Sequence, residues 1–187
     1  KLKWEDTPNQ CLENSLKRKL NFTPGSKYDY CNTGYVILGL IIEKITAQSY
    51  QQNITERIFK PCGLESMIYC SDDKIPFNTA RGYKIKHNKY TDFTEIDHSW
   101  ANSAGAVLGN LTDLNKFVDC LFKGNLIDSS QLKKMISPTI IYRDLNADGM
   151  EWFYHGVGLC WDLNLDKTEK PIHVFHGGNS HGYNCDI

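Results

Sequence analysis

The stretch GYVILGLIIEKITA, residues 34–47, constrains this chain more than any other. It is apolar on most faces of a helix, which predicts a helix buried on several sides. Glu43 and Lys44 break the apolar run, and it is too short to cross a bilayer. Other parts of the chain must therefore cover it. At 187 residues the chain has room for one domain or two small lobes. A chain of this size buries roughly 70% of its unfolded surface and needs no staples.

Leu12, Leu16 and Leu20 recur at spacing four and predict a helix over 11–20. TPGSKYDY, 23–30, is turn and loop punctuated by Pro24-Gly25. Ser49 is placed to cap a helix that Pro61 and Gly63 end. RGYKIKHNKYTDF, 81–93, alternates enough for a hairpin. A helix over 111–124 turns Leu114, Phe117, Val118 and Leu121 inward, with Thr112 as its cap and Gly124 as its stop. A short helix follows before Pro138.

The pattern then changes period. Val157, Leu159, Trp161 and Leu163 alternate and share one face of a strand. PIHVFHGG, 171–178, is a strand running into a glycine pair, and GYNCDI, 182–187, reads as the next strand. The fold class is α+β: a helical part over about 1–140, then strands of an antiparallel sheet over about 150–187.

Net charge is −1, with 21 basic and 22 acidic residues intermixed and no basic run of five or more, so a nucleic-acid footprint is not indicated. Seven scattered cysteines, none in a C-x-x-C, do not read as a disulfide framework or a zinc site. His173, His176, His181 and Cys185 invite a metal reading. Positions 173 and 176 differ by three, however, and point to opposite faces of a strand. No metal or cofactor is expected.

Three stretches carry a family resemblance. FTPGSKYDYCNTGYVILGLIIEKITAQSYQQNITERIFKPCGLESM (22–67) contains Phe-x-Pro-Gly, Tyr-x-Asn-x-Gly-Tyr, a Leu-Gly helix and Pro-x-Gly-Leu. SAGAVLGNLTDLNKFVDCLFKGNLIDSSQLKKMISP (103–138) and YHGVGLCWDLN…VFHGGNSHGY (154–183) follow in order, the second carrying His-x-Gly at 176–178. Together they resemble the serine β-lactamase and penicillin-binding protein superfamily, in its class C β-lactamase and D-Ala-D-Ala carboxypeptidase-like branch. The resemblance implies one partial β-lactamase/transpeptidase-like domain over 1–187.

It also implies acyl transfer, which needs a nucleophile, a base and donors for the oxyanion. By resemblance, Tyr30 shuttles the serine proton and Asn32 holds the substrate amide. A tyrosine, with a pKa near ~10, acts as a base near neutrality only where cations favour its phenolate. The family's motif lysine and His176 would be those cations. Gly177 and Gly178 would let a substrate backbone lie against the strand, and the Asn179 amide would match an oxyanion donor. Arg81-Gly82-Tyr83 resembles a further family element in which Tyr83 lines the groove or packs. Trp100 and Trp161 read as core or groove wall.

The nucleophile motif Ser-x-x-Lys belongs upstream of Tyr-x-Asn, where only 29 residues precede Tyr30. Ser71…Lys74 and Ser130…Lys133 fit the spacing in the wrong order, Ser71 in a polar turn and Ser130 as an ordinary N-cap. The expected function is a β-lactamase-related serine hydrolase acting on an amide, β-lactam, ester or D-amino-acid peptide. Its nucleophile would lie outside these residues, and the 187-residue chain alone would be inactive. The alternative is a non-catalytic β-lactamase-like binding or scaffold protein. Expected partners are a small-molecule or peptide substrate and further copies of the chain, through an incomplete sheet. The compartment stays open between the bacterial periplasm or cell envelope, which the family implies, and the cytoplasm, toward which the odd cysteine count leans.

Overall fold

The structure, a computed structural model, describes residues 7–70, 76–95, 97–145 and 151–187. It forms two compact units, Lys1–Leu114 with Asn179–Tyr183, and Asn115–Gly178 with Asn184–Ile187.

In the first unit, α1 (Pro8–Leu16) starts from a capping box. Thr7 Oγ1 accepts from Gln10 N, and Gln10 Oε1 accepts from Thr7 N at 2.8 Å. The helix stops at Leu16, and both Leu16 and Leu20 are exposed. The spacing-four leucines are therefore not a buried stripe; Cys11 is the residue that α1 buries.

Helix α2 (Asn32–Thr46) buries Val36 and Gly39. Ser103, in a 3₁₀ segment spanning Ser99–Ala104, donates its hydroxyl to Tyr35 O at 2.8 Å. A Cβ on Gly39 would collide with Ser103 Oγ, so glycine permits this close packing. Leu38, Ile41, Ile42 and Ile45 are exposed, and their i, i+3, i+4, i+7 spacing makes one continuous apolar stripe. The expected burial on several sides is thus corrected to burial on one.

Helix α3 (Tyr50–Ile54) begins at Ser49, as expected, with a second capping box. It continues as a π-helical turn, Thr55–Phe59. Buried Asn53 joins the two helices, its amide donating to Thr46 Oγ1 at 2.9 Å and to the carbonyls of Gln48 and Ser49.

Strand β1 (Ile68–Tyr69) precedes the expected hairpin, β2 (Tyr83–Lys86) and β3 (Lys89–Asp92), whose register runs from Tyr83↔Asp92 to Lys86↔Lys89. His87 and Asn88 turn it, both at positive φ (49° and 57°), as a two-residue type I′ loop requires. Strand β4 (Val107–Leu108) pairs antiparallel with β1.

Helix α4 (Leu111–Phe122) is capped by Asn110, whose Oδ1 accepts from Asp113 N at 2.8 Å, and not by Thr112. Buried Asp113 accepts from Ser66 N at 2.6 Å.

The second unit holds the main apolar core: Leu121 of α4 with Trp161, Leu163 and Leu165. Phe117, Leu132, Ile136 and Val174 pack around them, so Trp161 is core. Helix α5 (Ser129–Met135) is capped by Asp128, not Ser130. Strands β5 (Ile140–Leu145), β6 (Glu151–Val157), β7 (Asp162–Leu165) and β8 (Pro171–Phe175) form an antiparallel sheet in chain order. A tight turn with Cys160 at φ 71° separates β6 from β7. Val157 and Leu163 therefore lie on different strands, and Leu159, 56% exposed, is in the turn rather than on a shared face. Strands β9 (Gly177–Ser180) and β10 (Tyr183–Asp186) pair as a separate hairpin. Helices followed by an antiparallel meander give the α+β architecture the sequence implied.

Candidate active site

The chain approaches α2 through Cys31, the N-cap residue, which is extended (φ −145°, ψ 100°) and makes no side-chain cap bond. Alternate side chains of an extended segment point the same way. Tyr30 and Asn32 therefore face each other, and Tyr30 Oη donates to Asn32 Oδ1 at 2.8 Å. The Asn32 carboxamide meets the phenol rather than capping the helix. Tyr30 is 59% exposed, and Cys31 is an exposed free thiol.

His176 sits half-buried between β8 and β9. Its backbone exchanges two hydrogen bonds with Ile187, each 3.1 Å. Gly177, Gly178 and Asn179 follow along β9 and are exposed. Neither glycine has a positive φ. A Cβ on Gly177 would lie 3.1 Å from Asp186 Oδ1, and one on Gly178 would meet nothing closer than Cys185 O at 3.6 Å. Packing thus does not demand glycine at 178. Tyr30, Asn32 and Asn179 belong to the first unit, and His176, Gly177 and Gly178 to the second.

Ser130 is occupied in the α5 cap, its hydroxyl donating to Asp128 Oδ1 at 2.6 Å. That bond holds the Asp128 carboxyl below its ordinary range. Ser71 and Lys74 lie outside the described residues. Tyr83 is exposed and meets Tyr90 edge-on. An open cavity of about 450 Å³ in the first unit is lined by residues including Gln51, Thr55, Phe59, Lys60, Leu64 and Tyr69. It holds none of the expected site residues.

The β-lactamase family model matches residues 2–185. The chain belongs to the β-lactamase family. A D-aminopeptidase of Brucella anthropi is 30% identical over 178 residues, 91% of this chain and 31% of that protein. A putative penicillin-binding protein of Bacillus subtilis is 29% identical over 133 residues, 71% of this chain and 34% of that protein. Among solved structures, a D-stereospecific amidohydrolase from a Streptomyces species superposes with a TM-score of 0.79 at 25% identity, covering 96% of this chain and 52% of that one. The chain spans about a third of the length of these curated relatives. Its relatives are β-lactamase-fold hydrolases and penicillin-binding proteins, and its helices and antiparallel strands are those of part of that fold.

One contact escaped sequence reasoning. Ser180 Oγ and His98 Nδ1 lie 2.9 Å apart, 82 residues distant in the chain, and no periodicity or motif marks the pair.

Proposed function

We propose that residues 1–187 are part of a serine hydrolase that works through an acyl-enzyme, its nucleophile lying on a Ser-x-x-Lys motif outside these residues. The observation that carries this reading is the Tyr30–Asn32 pair, joined through their side-chain polar atoms beside the N-terminus of α2. Tyr30 is the proton carrier between serine and leaving group, and Asn32 orients both the phenol and the substrate amide. His176 is the side chain of the third motif in this reading. A glycine at 178 that its surroundings do not require supports close approach of a ligand backbone to β9, and the amide of Asn179 is the oxyanion donor. The D-aminopeptidase and D-stereospecific amidohydrolase relatives favour an amide next to a D-amino acid as substrate, over a β-lactam or ester.

A serine-reactive or penicillin probe tests this by intact mass. A longer chain carrying the upstream Ser-x-x-Lys gains one probe mass, and residues 1–187 alone gain none. A mass shift on 1–187 alone, or no Ser-x-x-Lys upstream in the gene, contradicts the reading. The second outcome leaves a non-catalytic binding or scaffold protein.

A further inference from the structure

Within the first unit, residues 80–83, 93–95, 97–98 and 180–183 close on one another around the turn that joins β9 to β10. The backbones meet without room for side chains. Gly182 has φ 82°, and a Cβ there would lie 2.7 Å from Gly82 C. A Cβ on Gly82 would lie 2.5 Å from the Tyr183 ring. Tyr183 Oη donates to Ala80 O at 2.8 Å, and the Phe93 and His181 rings pack at 5.4 Å between centroids. The receiving loop is itself tied, with Phe93 N donating to Gly82 O and Gly82 N donating to Thr94 Oγ1.

The Ser180–His98 bond lies in this cluster. His98 is held from both sides in sequence: the Asp97 carboxylate accepts from Ser99 N at 2.7 Å and from Ser99 Oγ at 2.9 Å. The Tyr183 ring meets the imidazole edge-on. Ser180 ends β9, the strand that follows His176 and carries Gly177, Gly178 and Asn179.

We propose that His98 and Ser180 form a positioning latch that fixes the end of β9 and so holds the His176-Gly177-Gly178-Asn179 segment in one register. The proposal rests on the reading that this segment receives substrate. Neither residue is assigned a contact with reacting atoms; both act through the strand.

Burial holds the His98 ring below the usual imidazole pKa, against the opposing pull of Asp97. Among the described residues, His181 and Tyr183 of the hairpin also act on or meet it, and Lys84 of β2 acts on His181. A neutral imidazole offers Nδ1 as an acceptor for the Ser180 hydroxyl. Because the folded value is depressed, the latch is fully present above the unfolded pKa of about 6.5. It weakens as pH falls toward the folded value.

Amide hydrogen exchange on the full chain at pH 7.5 tests the latch. His98→Ala and Ser180→Ala each speed exchange of residues 177–183 by about fivefold, the share of one net hydrogen bond. The double variant adds little beyond either one, because both remove the same bond. His98→Asn, whose carboxamide oxygen reaches the Nδ1 position, restores protection. Exchange in β5–β8 stays unchanged. Unchanged exchange at 177–183, uniform acceleration across the chain, or no rescue by Asn overturns the latch, whether or not the protein is an enzyme. In a chain competent for acyl transfer, the same variants lower kcat with KM nearly constant, and His98→Asn recovers it. Faster exchange with unchanged kcat overturns the positioning role alone. Absence of any acyl transfer in the wild type overturns the functional reading on which that role rests.

Discussion

Tyr30→Phe is expected to lower kcat/KM for acyl transfer by about 10²–10⁴-fold, the range for removing a general acid–base group, in a chain that carries the Ser-x-x-Lys motif. The fold should be nearly untouched. Tyr30 is more than half exposed, and its hydroxyl donates to Asn32 Oδ1. Loss of one such exposed bond costs about 1 kcal/mol or less. The aromatic ring and its packing remain. Activity and stability should therefore separate, with the melting curve kept and turnover lost. Asn32→Ala gives the contrast: it removes the acceptor that orients the phenol and also the carboxamide assigned to the substrate, so KM should rise as kcat falls. Steady-state kinetics on a D-amino-acid amide, alongside thermal melts, decide the matter. A Tyr30→Phe enzyme with wild-type turnover would leave the phenol no chemical role and return the pair to a structural one.

The parts of this fold that the sequence made legible are those set by local chemistry. Ser49 with Gln52 three residues on is a capping box, and it forms. The alternation through 81–93 is a hairpin because its two turn residues tolerate positive φ. Failures occur where a period says nothing about what lies opposite. Leu16 and Leu20 repeat at helical spacing, yet both are largely exposed. Leu38, Ile41, Ile42 and Ile45 of α2 are exposed as well, though Ile42 less so. An Asn at the entry of an apolar helix also suits an N-cap, so its residue type alone does not separate cap from site; the extended backbone at Cys31 turns the carboxamide toward Tyr30. The His98–Ser180 contact had no signal at all, because it depends on two loops meeting across 82 residues.

Leu163→Ala is expected to destabilise the second unit by about 2–5 kcal/mol, the range for truncating a fully buried leucine. Leu163 is 1% exposed and lies between Leu121, Trp161 and Leu165, with Val174 its partner in register on β8. A sheet held on both sides of β7 has little freedom to collapse into the space left, which favours the upper part of that range. Leu159→Ala is the matched control. It occupies the same alternating sequence run, so a single continuous strand would give the two substitutions similar costs. The turn at Gly158–Cys160 instead puts Leu159 in solvent, and its truncation should stay within about 0.5 kcal/mol, as for other surface sites. Urea unfolding followed by far-UV circular dichroism measures both. Equal losses would mean that the run from Val157 to Leu163 forms one strand with a common buried face. A large loss at Leu163 beside a negligible one at Leu159 places the reversal of the chain between them.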